Sequence, residues 1–315
     1  MRHIIWFLGV WLSVTALQAR IGNAGCAFLS RGGGARPVAL GGAYSALPGG
    51  PEAVFWNPAG LTGLKSFGAI VCGDRFFSLI NQTDLAVAMP IMDGTIGIGL
   101  IATSSGAIEE TTPEFPDGTG TYFSVVEYAL GVSYARKMTD RFSVGATVKF
   151  VSSSMWKVHA SGWAIDLGGQ YDVGISGLKF GFFLQNFAPE FRYSGDGLHV
   201  TVEEEGTGIE YPGSLLSGEF PLPLNFQAGF AIDLLKTPKT ILTADLVHPI
   251  DQPAVYGAGV EIEPVKGFTM RVGYTKKNNR NLCAGLGFHV GKIAIHYSYE
   301  NHDYLPGVHR LEIDF

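Results

Sequence analysis

In the last third of the chain, hydrophobicity alternates residue by residue. Between Leu282 and Val290 the apolar positions are Leu282, Ala284, Leu286, Phe288 and Val290, separated by Cys283, Gly285, Gly287 and His289. The register resumes with Ile293, Ile295, Tyr297 and Tyr299, and again with Leu311, Ile313 and Phe315. A period of two sustained over about ten residues marks a strand with one apolar face and one polar or small face. Lipid offers no partner to an unpaired backbone group, so strands of this kind cross a bilayer only when they close into a barrel.

The same alternation runs through Phe142, Val144, Ala146, Val148 and Phe150, and through Phe268, Met270, Val272 and Tyr274. It recurs in Tyr128, Leu130, Val132 and Tyr134 and in Ile96, Ile98 and Leu100. The segments predict an all-β, transmembrane antiparallel barrel of about fourteen strands, an even number as in single-chain bacterial barrels. Their expected positions are 66–75, 82–91, 94–104, 121–137, 141–152, 161–173, 177–187, 223–235, 238–248, 254–263, 266–276, 281–290, 292–300 and 307–315. Connections after even-numbered strands are short, as at Met92-Asp93, Lys236-Thr237 and Pro264-Val265. Those after odd-numbered strands are generally longer, as at 105–120 and 188–222. Outer-membrane barrels have short periplasmic turns and longer extracellular loops, which puts both chain ends on the periplasmic side. Aromatic residues near strand ends, among them Trp156, Trp163, Tyr171 and Tyr297, fit interfacial girdles or simple β-propensity equally well.

Composition narrows the alternatives. With 46% hydrophobic and 16% charged residues and 43 glycines, the 315-residue chain is too apolar for disorder. No apolar run of about eighteen residues occurs beyond the N-terminus, so the body is not a bundle of membrane-crossing helices. The net charge of −6 argues against nucleic acid as a partner. At the start, Arg2 and His3 precede the apolar run Ile4–Leu12, and Ala16, Leu17, Gln18 and Ala19 follow. This is the order of a secretory signal peptide, 1–19, cleaved near Ala19. Cys26 invites a lipid-anchor reading, which the preceding Asn23-Ala24-Gly25 and Arg20 weaken. Cys72 and Cys283 face the lumen about three strands apart, too far for a disulfide, and read as small fillers.

Residues 20–65 lack alternation and form the expected N-terminal hatch, with 66–315 as the barrel. The stretch is rich in small residues, and Gly49-Gly50-Pro51 looks like a turn into a short helix at Glu52–Trp56, broken by Asn57-Pro58. Such a segment either plugs the lumen or caps the barrel bottom. Gly41, Gly42, Ala43, Ala46, Ala53, Trp56, Asn57, Pro58, Ala59, Gly60 and Leu61 together resemble the N-terminal pattern of the FadL-like superfamily, closest to its PorV/PorQ branch. Gly49 and Gly50 stand where that family commonly has acidic residues. The resemblance implies a fourteen-stranded barrel whose hatch contains the motif Asn57, Pro58, Ala59 and Gly60. It also implies two possible roles. The PorV/PorQ branch implies a docking and shuttle component of type IX-like protein secretion, with secreted cargo or a secretion translocon as partner. The wider superfamily implies passive transport of hydrophobic small molecules through a hatch that moves on ligand binding.

By alternation the lumen receives Asp84, Glu127, Lys149, Asp166, Lys179, Asp233, Asp245, Glu261, Arg271, Arg310 and Glu312. Glu127, Lys149 and Asp166 fall on three successive strands, and Glu261 and Arg271 on two. These charges either pair and fill the barrel or form a polar constriction that selects solutes. His289, His296 and Ser298 also face inward, but His296 and Ser298 lie about 7 Å apart at strand rise. No third group orients them, so no enzyme is expected. No spacing points to a metal or a phosphate-binding loop, and no cofactor is expected. The 188–222 connection carries Glu203, Glu204, Glu205 and Tyr211. A loop this long gates the mouth, docks a partner, or is solvated without a task. Outer-membrane lipid is the expected surroundings in a Gram-negative-type bacterium. A final strand ending at Phe315 resembles the signal read by outer-membrane assembly machinery.

Overall fold

The computed structural model describes residues 22–76, 79–203, 210–276, 280–302 and 305–315, so the expected signal peptide lies outside the described residues. Fourteen antiparallel strands close into one barrel. They are β1 (Gly68–Phe76), β2 (Ile80–Ile91), β3 (Gly94–Ser104), β4 (Val125–Lys137), β5 (Phe142–Met155), β6 (Val158–Asp172) and β7 (Lys179–Phe187). The second half comprises β8 (Asn225–Lys236), β9 (Lys239–Pro249), β10 (Val255–Val265), β11 (Phe268–Lys276), β12 (Arg280–Val290), β13 (Ile293–Glu300) and β14 (Val308–Asp314). Each expected segment overlaps one of these strands, with ends displaced by a few residues. Closure runs through β1 and β14, where Cys72 pairs with Glu312 and Asp74 with Arg310. Among the described residues no helix is long and apolar enough to cross a membrane.

The alternation does the sorting. On β2, Gln82, Asp84, Ala86 and Ala88 are buried, while Leu85, Val87 and Met89 are 38–52% exposed on the outer face. Leu130, Val132 and Tyr134 of β4 and Leu282 and Phe288 of β12 are likewise exposed. A wall this apolar is a liability in water and at home in hydrocarbon. The connections divide the barrel into a short-turn end and a long-loop end. One odd-numbered connection is unexpectedly tight: the β5–β6 ladder continues to Met155 and Val158, leaving only Trp156 and Lys157 in the turn. At the long-loop end, 188–224 forms two small ladders, Phe191–Arg192 with Glu219–Phe220 and His199–Glu203 with Glu210–Ser214.

The wall has an irregularity between β6 and β7. Ile165 pairs with Phe187 but Leu167 with Leu184, so the register slips at Asp166. Asn186 takes a left-handed conformation there, φ +62°, as one strand carries an extra residue through a bulge.

Residues 22–64 run inside this wall. They form short turns at Ala27–Ser30, Pro51–Phe55 and Pro58–Gly63 and one short helix, α1 (Ala35–Ala39). The helix expected at Glu52–Trp56 is instead the 3₁₀ turn Pro51–Phe55, with Trp56 outside it. The following Asn57-Pro58 pair leaves no room for a further turn, because a residue before proline is pushed out of helical conformation. α1 was not foreseen. Its N-cap is Gly34, which has no side chain to cap it, and the wall does so instead: Glu312 accepts the N–H of Ala35 at 2.7 Å and Asp84 that of Gly34 at 3.1 Å. The segment's direction corrects the expectation that both chain ends lie at the short-turn end. Gly22 N–H donates to the Asp251 carbonyl and Gly25 N–H to that of Pro221, both in long loops. The segment therefore enters at the long-loop end and descends the lumen to reach β1.

Candidate functional site

The descending segment meets the wall through polar side chains that point inward and accept or donate to its backbone. Asn57 is buried, and its Nδ2 donates to the carbonyl of Ser45 at 2.7 Å and that of Gly169 at 3.2 Å. Its Oδ1 accepts from Ala59 N–H at 3.1 Å, capping the Pro58–Gly63 turn. The turn lies against β5 and β6 at Gly145 and Gly168. A Cβ on Gly145 would stand 2.5 Å from the Ala59 nitrogen, and one on Gly168 would meet Asn57 Oδ1. Glycine at both sites lets the motif backbone touch the strands. Pro58, Ala59 and Gly60 are buried in the contact. Farther round, Gln170 donates to Leu47, Gln185 to Phe55, Gln227 to Gly42 and Thr275 to Gly41, each at 2.6–2.9 Å. Asp245 accepts Ser45 N–H at 2.8 Å and Ser45 Oγ–H at 2.9 Å.

Two ion-pair groups tie segment and wall together. In one, Glu261 of β10 accepts Arg36 of α1 at 2.9 Å and Arg271 of β11 at 2.7 Å. Tyr44 donates to Glu52 beside this group, and Arg36 lies 3.7 Å from Glu52. In the other, Asp74 of β1 accepts Arg31 at 2.8 Å and lies 3.1 Å from Arg310 of β14, which reaches Asp84 at 3.8 Å. The Arg31 guanidinium also covers the Phe76 ring, 4.1 Å from its centroid. Desolvation lowers the Arg31 pKa, and Asp74 offsets part of that shift. A third pair sits at the bulge. Lys149 donates to Asp166 at 2.7 Å and to Asn186 Oδ1, and Asn186 N–H donates back to Asp166 at 2.7 Å.

Of the sequence-expected lumen charges, Glu261 with Arg271 and Lys149 with Asp166 are brought together. Glu127 stands apart, opposite Ser153 in the β4–β5 ladder. Asp233 is exposed at the short-turn rim, where a bulge interrupts the β8–β9 ladder. His296 and Ser298 are buried. His296 Nδ1 lies 3.2 Å from Arg271 Nη1, and Ser298 Oγ has no hydrogen-bond partner, so the two form no nucleophile–base pair. All three cysteines are free and buried, Cys26 within the mouth of the lumen. In the long loop, Tyr211 is exposed, Glu203 lies in the 199–203 strand, and Glu204 and Glu205 lie outside the described residues.

Between the top of the segment and the long-loop mouth lies a cavity of about 360 Å³. Leu29, Phe55, Trp56 and Phe76 belong to its apolar lining, as do Pro223, Val247 and Pro249 from the β8 and β9 part of the wall. Gln185, Asn225, Gln227 and Asn281 form the polar part. Below it the lumen is packed: Ala39, Leu40, Ala43, Ala46, Ala59 and Leu61 are each fully buried.

Solved structures of this architecture are known. The toluene transporter TbuX of Ralstonia pickettii superposes with a TM-score of 0.61 at 16% identity, over 90% of this chain and 97% of that one. The monoaromatic hydrocarbon channel CymD gives a TM-score of 0.59 at 15% identity, over 90% and 95%. A FadL homologue of Pseudomonas aeruginosa gives 0.54 at 13%, over 87% and 95%. The likeness is one of fold. No protein-family model matches the chain, and no curated protein sequence matches it.

The wall glutamines, Asp74 and the arginines of the segment were missed from sequence. Asp74 had a usable signal, being two residues from the inward Cys72. The glutamines had the same parity signal, but polar uncharged residues were not read as contacts. Arg31 and Arg36 had none, since nothing in an aperiodic segment says which way a side chain points.

Proposed function

We propose that this chain is an outer-membrane transporter that passively admits small, largely apolar molecules, taking them from the outside into the cavity beneath the long loops. The observation that carries the reading is the cavity itself: about 360 Å³, with Phe55, Trp56 and Phe76 in its lining, above the N-terminal segment. Binding pockets for small molecules are concave, mostly apolar and of this size. The toluene and monoaromatic hydrocarbon carriers of the same fold lend it support. On this reading the long-loop end faces outward, residues 1–19 export the chain, and the segment is a hatch that must shift for a ligand to leave downward. The bridges from Arg31 and Arg36 to the wall hold it shut.

The secretion role has less to stand on. Asn57, Ala59 and Leu61, three of the residues in the PorV/PorQ-like pattern, are at most 1% exposed. They serve as an anchor against β5 and β6, so the motif behind that resemblance has a structural use here, while the docking loop expected of a secretion component lies at the long-loop mouth.

The test is uptake of radiolabelled toluene by cells with and without the intact gene. Uptake that is several-fold faster with the gene supports transport. Equal uptake, together with mislocalised secreted proteins in the deletion strain, would overturn it in favour of secretion.

A further inference from the structure

The outer face of the β1–β14 seam carries basic side chains and no acid. Asp74 and Arg310 are buried toward the lumen, so their chain neighbours Arg75 and His309 point outward, and both are exposed. Arg75 stands directly opposite His309 in the ladder, and His309 directly opposite Tyr299 of β13. The Tyr297 hydroxyl lies 2.6 Å from His309 Nδ1, and the Tyr299 ring packs 5.0 Å from the imidazole. With Nδ1 engaged, the other ring nitrogen is the one left for an outside partner. A Cβ on Gly73, the next outward residue of β1, would meet nothing within 4 Å, so the wall beside Arg75 is open. Among the described residues no carboxylate pairs with Arg75.

The sign of the charge belongs to this end of the barrel. Lys276, at the long-loop end of β11, is exposed as well. The carboxylates near the same strand ends, Asp74, Glu127 and Glu300, alternate toward the lumen. At the short-turn end, exposed Asp93 and Asp140 stand among the bases. A charge on the lipid side of a barrel is tolerated at headgroup depth and costly in hydrocarbon, and tyrosines favour that same depth. The anion met there from the side is a lipid phosphate. Arginine's planar fork matches phosphate, and directly opposed residues lie about 5 Å apart at Cβ, so guanidinium and imidazole reach one group together. Free anions are disfavoured near this mouth by the exposed Glu109, Glu114 and Asp117 of the 105–120 loop. With the long loops outward, the leaflet at this depth is the outer one, built in a Gram-negative-type bacterium from phosphorylated glycolipid. We propose that Arg75, His309 and Tyr297 seat a phosphate of an outer-leaflet glycolipid, of the lipid A class, against the β1–β14 seam.

The proposal rests on the outward orientation of the long loops, not on what the cavity carries, and toluene uptake remains the separate test of transport. Its own test is native mass spectrometry of the purified full-length barrel in detergent. The barrel is titrated with lipid A, with lipid A stripped of its phosphates, and with phosphatidylglycerol. The titrations are repeated for Arg75→Gln, His309→Gln and, at the short-turn end, Lys137→Gln. Lipid A should bind about tenfold more tightly than either other lipid, and Arg75→Gln should remove most of that preference. His309→Gln should weaken it several-fold, and Lys137→Gln should leave it unchanged. Equal binding of the stripped lipid overturns the phosphate seat. Equal binding of phosphatidylglycerol overturns the glycolipid as occupant, and displacement of lipid A by millimolar inorganic phosphate overturns a lipid source. A loss in Lys137→Gln as large as in Arg75→Gln overturns the location. The comparison of lipids on the unmodified protein decides the matter even if a variant fails to fold.

Discussion

The side-chain amide of Asn57 lies directly against Gly168 of β6, with no room between them for a methyl group. The contact fixes the lowest part of the inner segment to the barrel wall. Gly168→Ala forces the amide away from the Ser45 and Gly169 carbonyls, and overpacking of this kind costs about 1–3 kcal/mol. We expect a lower urea midpoint for the refolded barrel. We also expect faster permeation of small sugars in a liposome-swelling assay, because the segment loses its footing. An unchanged midpoint and unchanged swelling would refute the anchoring role.

Glu261 serves two arginines at once. Glu261→Gln leaves Arg271 without its carboxylate and Arg36 with only Glu52, 3.7 Å away, and removal of one partner from a buried pair costs about 3–5 kcal/mol. The expected outcome is a segment that detaches on the α1 side while the barrel persists. It is read as new chymotryptic cleavage after Leu40 or Tyr44, beside α1, with an unaltered heat-modifiable band on seminative gels. If those sites stay protected, the bridge is not what holds α1.

Cys26 gives a chemical readout of the same closure. Burial, with a smaller effect from Glu127, pushes its thiol from an ordinary 9.0 up to about 12. A group whose folded pKa is raised contributes stability that is present below its unfolded pKa and lost as pH rises through the folded value. The folded protein therefore loses stability between about pH 9 and 12, and Cys26→Ala flattens that decline. At pH 8 no maleimide should couple to the folded protein, since all three cysteines are buried. Coupling before unfolding would refute the closed mouth.

The top of the segment is held by an aromatic contact. Gly25 packs under the ring of Phe220, which stacks on Tyr193 at 5.1 Å. Phe220→Ala removes that cover and about 0.5–1.5 kcal/mol of ring pairing. Hydrogen exchange at residues 22–30 should accelerate several-fold, with the wall strands unchanged. Equal exchange would mean that the loop does not pin the segment.

The barrel was legible because a period of two survives even where single residues vary. Fourteen stretches with apolar residues on one parity and Gly, Ser, Thr or charge on the other leave little choice of fold. The Glu261–Arg271 pair was legible for the same reason, as two inward residues on adjacent strands. The path of residues 22–64 was not. Its contacts run from backbone carbonyls such as Ser45 and Gly42 to wall glutamines, and backbone groups leave no spacing in a sequence. Nor does composition carry a direction, so Gly22 was expected at the wrong end. The bulge at Asp166 was hidden as well, since one extra residue in a strand leaves the average alternation intact.

The seam between β1 and β14 is where the two ends of the wall meet, and one of its pairs is Asp74 with Arg310. Arg31 of the inner segment binds the same carboxylate. The segment is thus a third member of the joint, more like a rivet through a hoop than a stopper in a finished tube. Any movement that withdraws Arg31 alters the charge balance of the one ladder that keeps the sheet from opening. Passage through the lumen and integrity of the wall are then coupled mechanically, and a ligand that loosens the segment also slackens the hoop.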